Sequence, residues 1–150
     1  MIIIYIFADS YKHFSDAIVE YLKRLGKTVE LRELKPVKKW TPEQIISAET
    51  EIISTKLGSE KWYKIILSPN GRNISTEDFW KLIEVQKNNW QKIIISIGWA
   101  NGLDYSRLQD VCDIELSLGK MILPHSLVLT LILEQIYRCS EIERWSGYHK

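Results

Sequence analysis

The sequence predicts an α/β fold, a single-domain parallel-sheet α/β sandwich spanning residues 1–150. Short runs of branched apolar residues alternate with stretches whose apolar positions recur every three to four residues. The connections are shorter than the helices they join, and no repeat, low-complexity tract or linker interrupts the alternation. Parallel strands need crossover helices, so a chain of this pattern covers its sheet on both faces. With 45% hydrophobic and 26% charged residues, a 150-residue chain buries roughly 70% of the surface its unfolded form exposes, without disulfide or metal staples.

Residues 1–8 form an Ile-rich run closed by Asp9 and Ser10, as expected for a strand buried on both faces. Phe14, Ala17, Ile18, Tyr21, Leu22 and Leu25 follow at helical spacing, with Ser15 as N-cap and Gly26 as the stop. Residues 28–34 alternate Val29 and Leu31 with charges before Lys35 and Pro36, a half-exposed strand. Thr41, Pro42 and Gln44 make a capping box with proline at the first helical position, and Ile45, Ile46, Glu49, Ile52, Ile53 and Leu57 carry the helix on. Residues 63–67 read as a third strand closed by a turn at Ser68-Pro69-Asn70-Gly71. Ser75 starts a helix marked by Phe79, Leu82, Ile83 and Gln86, and residues 92–97 return as a fourth buried strand ending at Gly98. A short helix over 104–111, a fifth strand over 113–118 and a long helix over 126–142, preceded by Pro124 and His125, complete the order. In that last helix, Leu127, Val128, Leu129, Leu131, Ile132 and Leu133 place apolar groups nearly all round, which points to a second copy of the chain as its outer cover.

Composition excludes several functions. Residues 1–7 lack a basic n-region and read as a strand rather than a signal peptide, and the apolar run at 127–133 is far shorter than the roughly 20 residues of a membrane span. A cytoplasmic protein with no membrane partner is expected. Cys112 and Cys139 have neither CxxC spacing nor a nearby His pair, so no metal site is expected. A net charge of +1 is wrong for coating nucleic acid by bulk charge but leaves room for a local patch such as Lys35, Lys38 and Lys39 beside Trp40, read either as a solvated loop or as an RNA contact.

Ligands of open parallel sheets bind outside the carboxyl ends of the strands, which directs attention to the loops after Ala8, Leu67, Ile97 and Leu118. Ala8-Asp9-Ser10-Tyr11-Lys12 has no glycine to let amides approach an anion and reads as a plain strand-to-helix turn. Gly71 and the pair Gly98 and Gly102 supply sites where a ligand can meet backbone, or simply turns. His125 at a helix start reads as a cap or turn residue more readily than as a catalyst, and His13 is uninformative.

The segment Leu116-Ser117-Leu118-Gly119-Lys120-Met121-Ile122-Leu123-Pro124-His125-Ser126-Leu127, the run Glu134-Gln135-Ile136-Tyr137-Arg138 and the terminal Tyr148-His149-Lys150 together resemble the C-terminal signature of the ribosomal large-subunit methyltransferase H family, a branch of the SPOUT knotted methyltransferases. Glu20-Tyr21-Leu22-Lys23-Arg24-Leu25, Glu49-Thr50-Glu51, Ser75-Thr76-Glu77-Asp78-Phe79 and Ile97-Gly98 fall in the same order, so the resemblance covers essentially the whole chain. It implies an S-adenosylmethionine-dependent homodimeric enzyme that methylates N3 of a pseudouridine in large-subunit ribosomal RNA, with a C-terminal trefoil knot that general topology rules treat as exceptional. The alternative it leaves open is a non-catalytic knotted dimer that binds RNA or the ribosome.

Carried over residue by residue, the resemblance implies methyl-donor contacts at Leu67, Gly98, Leu118, Gly119, Lys120, Met121, Ile122 and Leu123, where apolar walls and backbone groups suit an adenine ring. It implies His149 or Tyr148 as base or orienter at the reacting nitrogen, with Arg138 and Lys150 binding phosphate. Three positions depart from the family pattern: Trp99 stands where a glycine is usual, Leu129 where a basic residue is frequent, and Gly119 where serine is usual. An indole at Trp99 either narrows the donor pocket or offers a stacking surface.

Overall fold

Every residue of the strand β1 (Ile2–Phe7) is buried, and so is every residue of β4 (Ile93–Ile97), which explains why both read as unbroken apolar runs rather than alternating ones. They lie side by side at the centre of a five-stranded sheet in the order β2-β1-β4-β3-β5, with β2 (Val29–Leu34), β3 (Tyr63–Asn73) and β5 (Ile114–Ser117), all paired parallel. The computed structural model describes residues 1–38, 41–98 and 100–149.

The pleat divides the core. Ile2, Ile4 and Ile6 face one side, where they meet α1 (Ser15–Leu25), α3 (Thr76–Asn88) and α4 (His125–Glu143). Ile3, Tyr5 and Phe7 face the other, where they meet Ile53 and Leu57 of α2 (Pro42–Gly58) and Leu108 of a 3-10 turn, Tyr105–Leu108. Alternation in space has thus replaced alternation in sequence. The Thr41 capping box forms as expected: Thr41 Oγ1 accepts from Gln44 N at 3.4 Å, and Thr41 N donates to Gln44 Oε1 at 3.1 Å. Ser75 caps α3 by accepting from Asp78 N at 3.1 Å, and Gly26 ends α1 at a φ of 52°.

Three expectations are corrected. Ser15 is not the N-cap of α1: residues Lys12–Phe14 already turn as a 3-10 helix, so Phe14 holds the cap position and Ser15 Oγ donates back to the Lys12 carbonyl at 2.9 Å. The stretch 104–111 is not a helix but a single 3-10 turn. The turn expected at 68–71 does not end β3. The strand leaves its ladder after Leu67 and rejoins at Arg72, both residues sitting opposite Leu116, and then runs on to Asn73. In α4, Leu129, Ile132, Leu133 and Ile136 are at most 3% exposed, because the sheet and two helices enclose them, while Leu131 on its outer side remains 38% exposed. Periodicity read along one helix does not count how many neighbours will cover it.

Candidate active site

Gly71 begins the construction of the site. A Cβ there would lie 2.6 Å from the backbone carbon of Leu116 and 2.8 Å from the carbonyl of Glu115, so only glycine lets the bowed strand rejoin β5. The four displaced residues, 68–71, swing Ser68 and Pro69 to the carboxyl end of the sheet. Ser117 secures the neighbouring turn: its Oγ accepts from Gly119 N at 3.0 Å and lies 2.8 Å from the Gly119 carbonyl and 3.2 Å from that of Pro69. Gly119 has φ 131°, which explains its departure from the usual serine, since a side chain there would strain the backbone.

The loop after β4 is the third wall. A Cβ on Gly98 would meet Leu103 Cγ at 3.0 Å and Gly102 at 3.3 Å. The absence of a side chain at Gly98 lets the loop pack closely against Leu103 and Gly102 at the cleft wall. Asp104 N donates to Thr50 Oγ1 of α2 at 2.8 Å and anchors the end of that loop. The neighbours of Thr50 brace other segments. Glu51 pairs with Arg107 at 2.8 Å, and Glu49 Oε1 accepts from Val37 N at 3.1 Å after β2. Burial pushes the Glu49 carboxyl up to about 7, against the opposing effect of the Val37 hydrogen bond.

These walls enclose a cleft outside the carboxyl ends of β3, β4 and β5, where parallel sheets bind ligands. Leu67, Gly98, Leu118, Gly119, Met121, Ile122 and Leu123 line it, whereas Lys120 is exposed and does not. Met121 and Ile122 are 78% and 88% exposed, so they present apolar surface that the fold itself does not cover. Sequence reasoning missed Tyr105 and Val128 as lining residues, and it gave His125 no place in the cleft. Val128 and His125 reach it because α4 starts at its rim, a fact visible in the sequence only as proximity to the 118–123 segment. Burial lowers the pKa of the His125 imidazole, which favours its neutral form.

A second cleft adjoins the first and shares Leu67 and Leu118 with it. Asn73, Thr76 and Gln135 are among its polar residues, with Ser75 and Ser117: Asn73 Nδ2 donates to the Ser117 carbonyl at 3.3 Å, and Thr76 Oγ1 donates to Gln135 Oε1 at 2.8 Å. The chain terminus folds back along α4 toward this cleft. The Tyr148 ring meets that of Tyr137 edge-on at 5.2 Å, its hydroxyl donates to Glu134 Oε1 at 3.3 Å, and the Arg138 guanidinium covers it at 4.8 Å. Arg138 also binds Glu134 at 2.6 Å. Desolvation first, and a hydrogen bond with Tyr21 second, raise the Tyr148 phenol, which favours its protonated form. His149 Nε2 lies 3.2 Å from Oε1 of Glu77, the residue after Thr76. Arg138 and Tyr148 are therefore brought together and His149 stands beside the second cleft, but none of the three lines the first.

Lys38 pairs with Asp9, and Lys35 is exposed. Lys39, Trp40, Trp99 and Lys150 lie outside the described residues, so the basic patch, the indole in the 98–102 loop and the terminal phosphate ligand are not completed here. Among the described residues no cluster of three His, Cys, Asp or Glu suits a metal ion, and no helix is long and apolar enough to cross a membrane.

A family model described as "Predicted SPOUT methyltransferase" matches residues 1–149. A ribosomal RNA large subunit methyltransferase H of Francisella tularensis subsp. holarctica is 37% identical over 150 residues, covering 97% of this chain and 89% of its own. The protein of that name from Leuconostoc citreum is 33% identical over 147 residues, covering 92% of this chain and 91% of its own. Among solved structures, a probable methylase family protein from Haemophilus influenzae Rd KW20 superposes with a TM-score of 0.62 at 14% identity, over 99% of this chain and 70% of its own.

Proposed function

The chain belongs to the SPOUT methyltransferase family, and from that premise we propose that it uses S-adenosylmethionine to methylate N3 of a pseudouridine in large-subunit ribosomal RNA. The observation that carries this reading is the cleft at the carboxyl ends of β3, β4 and β5, because it unites seven residues that the family resemblance assigns to the donor. The residues present fit such a donor. Met121 and Ile122 offer uncovered apolar walls for a flat ring, and the turns at Gly98 and Gly119 offer backbone groups to its polar edges. When bound, the donor supplies a methyl group on a sulfonium, which is already an excellent leaving group. The protein's work is then positioning: it holds the nucleophile in line with the methyl and removes the imide proton.

Asn73, Thr76 and Gln135 in the second cleft supply the amide and hydroxyl groups that a pyrimidine imide edge requires. His149 is the proton acceptor and Tyr148, held by Glu134 and Arg138, its orienting neighbour. Because these tail residues do not line the donor cleft of their own chain, the active unit is a homodimer in which Leu131 contributes to the covered surface. The single domain spans residues 1–150, carries the family's C-terminal trefoil knot and acts in the cytoplasm on ribosomal RNA or assembled ribosomal particles, without a metal.

Calorimetry with S-adenosylmethionine tests the donor site, and nucleoside mass analysis of large-subunit RNA incubated with the protein and donor tests the product. Micromolar donor binding with a methylated pseudouridine is the expected result. No detectable heat and no product would favour a non-catalytic knotted dimer instead.

A further inference from the structure

Helices α3 and α4 end alike, and both endings hold a residue that the backbone disfavours. After α3, Trp90 N donates to the Lys87 carbonyl at 3.0 Å and Gln91 N to the Gln86 carbonyl at 2.9 Å. After α4, Trp145 N donates to the Ile142 carbonyl at 3.1 Å and Ser146 N to the Glu141 carbonyl at 3.2 Å. Each pair is the crossed pattern that closes a helix around one left-handed residue, where glycine is the usual occupant. Here both occupants are tryptophan, with φ of 57° at Trp90 and 53° at Trp145. A Cβ in that conformation is strained, and the fold draws no packing from either indole in return, since Trp90 is 95% and Trp145 93% exposed.

Both helix endings lie at the end of the sheet opposite the cleft. Helix α3 leads from the carboxyl end of β3 to the amino end of β4, α4 starts at the cleft rim, and Lys87 bonds Glu143 at 2.8 Å to join their far ends. Cations surround them. Lys87 and Lys92 share this end with the Met1 amine, whose pKa is lowered by burial and then by their two charges, so the lysines are its cations and the amine holds its proton less readily. Lys92 Nζ lies 4.6 Å from the centroid of the Trp62 ring, and Arg144 pairs with Glu141. Glu143 and Glu141 offset Lys87 and Arg144, and Glu30, which is near Lys92, is paired with Arg32, which leaves Lys92 as the local excess.

We propose that this end of the molecule docks single-stranded RNA, with Trp90 and Trp145 stacking on unpaired bases while the flanking cations meet phosphates. Exposed rings among charged neighbours fit a flat polyanion better than an apolar protein surface, because a protein partner would have to bury Lys87, Glu143 and Arg144 along with the indoles. Paired bases present no face to stack on, so a duplex does not fit. The choice of RNA as the polyanion rests on the methyltransferase reading, but the surface is distinct from the donor cleft.

The probe is a single-stranded oligouridylate of about twelve nucleotides, within the range of known single-strand sites, titrated against the full chain by fluorescence anisotropy without donor. The wild type is expected to bind with an affinity that falls as salt rises. Trp90→Gly combined with Trp145→Gly should weaken binding at least about tenfold while the thermal midpoint holds or rises, since glycine relieves the left-handed strain. Replacing both with Phe should retain most of the affinity, and Lys92→Gln should flatten the salt dependence by about one phosphate contact. Unchanged oligouridylate affinity in the glycine variant overturns the proposal. So does a lowered thermal midpoint, which would make the indoles structural, or loss of a wild-type dimer in light scattering, which would make this face a contact between copies. Binding through the indoles in a protein that takes up no S-adenosylmethionine would overturn the methyltransferase reading and leave this surface standing.

Discussion

The two ends of the parallel sheet both show apolar side chains to water, and they do it in opposite shapes. At the carboxyl end, Met121 and Ile122 line a concave cleft whose walls depend on close backbone approach at Gly71 and on a positive φ at Gly119. At the amino end, Trp90 and Trp145 project from helix termini with nothing folded over them. Concave apolar surface can enclose a small molecule on most sides, whereas a projecting ring can only be met from one face, as a base in a polymer would meet it. The comparison separates a site for a donor from a site for a chain, and it can be tested at each end.

The sharpest separation concerns the tail, which runs from one end toward the other. His149→Ala should lower the single-turnover methyl-transfer rate by roughly 10² to 10⁴ while leaving donor affinity unchanged, and deletion of residues 148–150 should do the same. Glu77→Gln, which removes the carboxylate beside His149, should give a smaller loss in rate that is not recovered at saturating donor. Full activity in the truncated chain would confine the chemistry to the cleft and remove the tail from it.

The carboxyl end should fail as a unit if its backbone is forced apart. In Gly71→Ala the new methyl would sit at 2.6 Å from Leu116, so either β3 or β5 must shift, and urea unfolding should report a loss of about 3 kcal/mol or more. Donor binding should fall with it, and oligouridylate binding by the folded fraction should not. Equal damage to both activities would mean that the ends are not separable.

How much of this was legible in the sequence follows from range. The five strands and four long helices in their order, the Thr41 capping box and the Ser75 cap are local, set by residues three or four apart, and they were read correctly. The bulge in β3 was not, because Pro69 and Gly71 signal a turn locally while the reason for Gly71 is a backbone 45 residues away at Leu116. The same distance hid how much of α4 its own chain's α1 and α3 cover. Most of the cleft residues were legible only through the family resemblance, and the exposed indoles were legible to neither approach, since a left-handed φ leaves no mark on a tryptophan's spelling.

Removing apolar surface from the cleft rim should cost affinity without costing the fold. Met121→Ser combined with Ile122→Ser exchanges side chains that are 78% and 88% exposed, so the unfolding midpoint should hold. Donor affinity should weaken by about 10- to 100-fold if both side chains become buried against the ligand, at about 25 cal/mol per Å² of apolar area. A fall in the unfolding midpoint would show that the rim packs in solution and is not waiting for a ligand.

The smallest effect belongs to Glu49, which sits behind the carboxyl-end loops with one oxygen bound to Val37 N and the other, Oε2, buried without a partner among the described residues. Its carboxyl is raised from 4.5 to about 7 by burial. A raised carboxyl binds its proton more tightly in the folded state, so its contribution to stability is complete below pH 4.5 and declines as pH climbs through 7. Between pH 5.5 and 8 the loss should reach at most about 2 kcal/mol. Glu49→Gln keeps an oxygen for Val37 N and cannot ionise, so it should remove this decline, and the stability difference in its favour should widen by up to about 2 kcal/mol between pH 5.5 and 8. Parallel urea curves at the two pH values measure it. A wild type whose stability is flat across that range would mean that water reaches Oε2 and that the carboxyl end is as well solvated as the other.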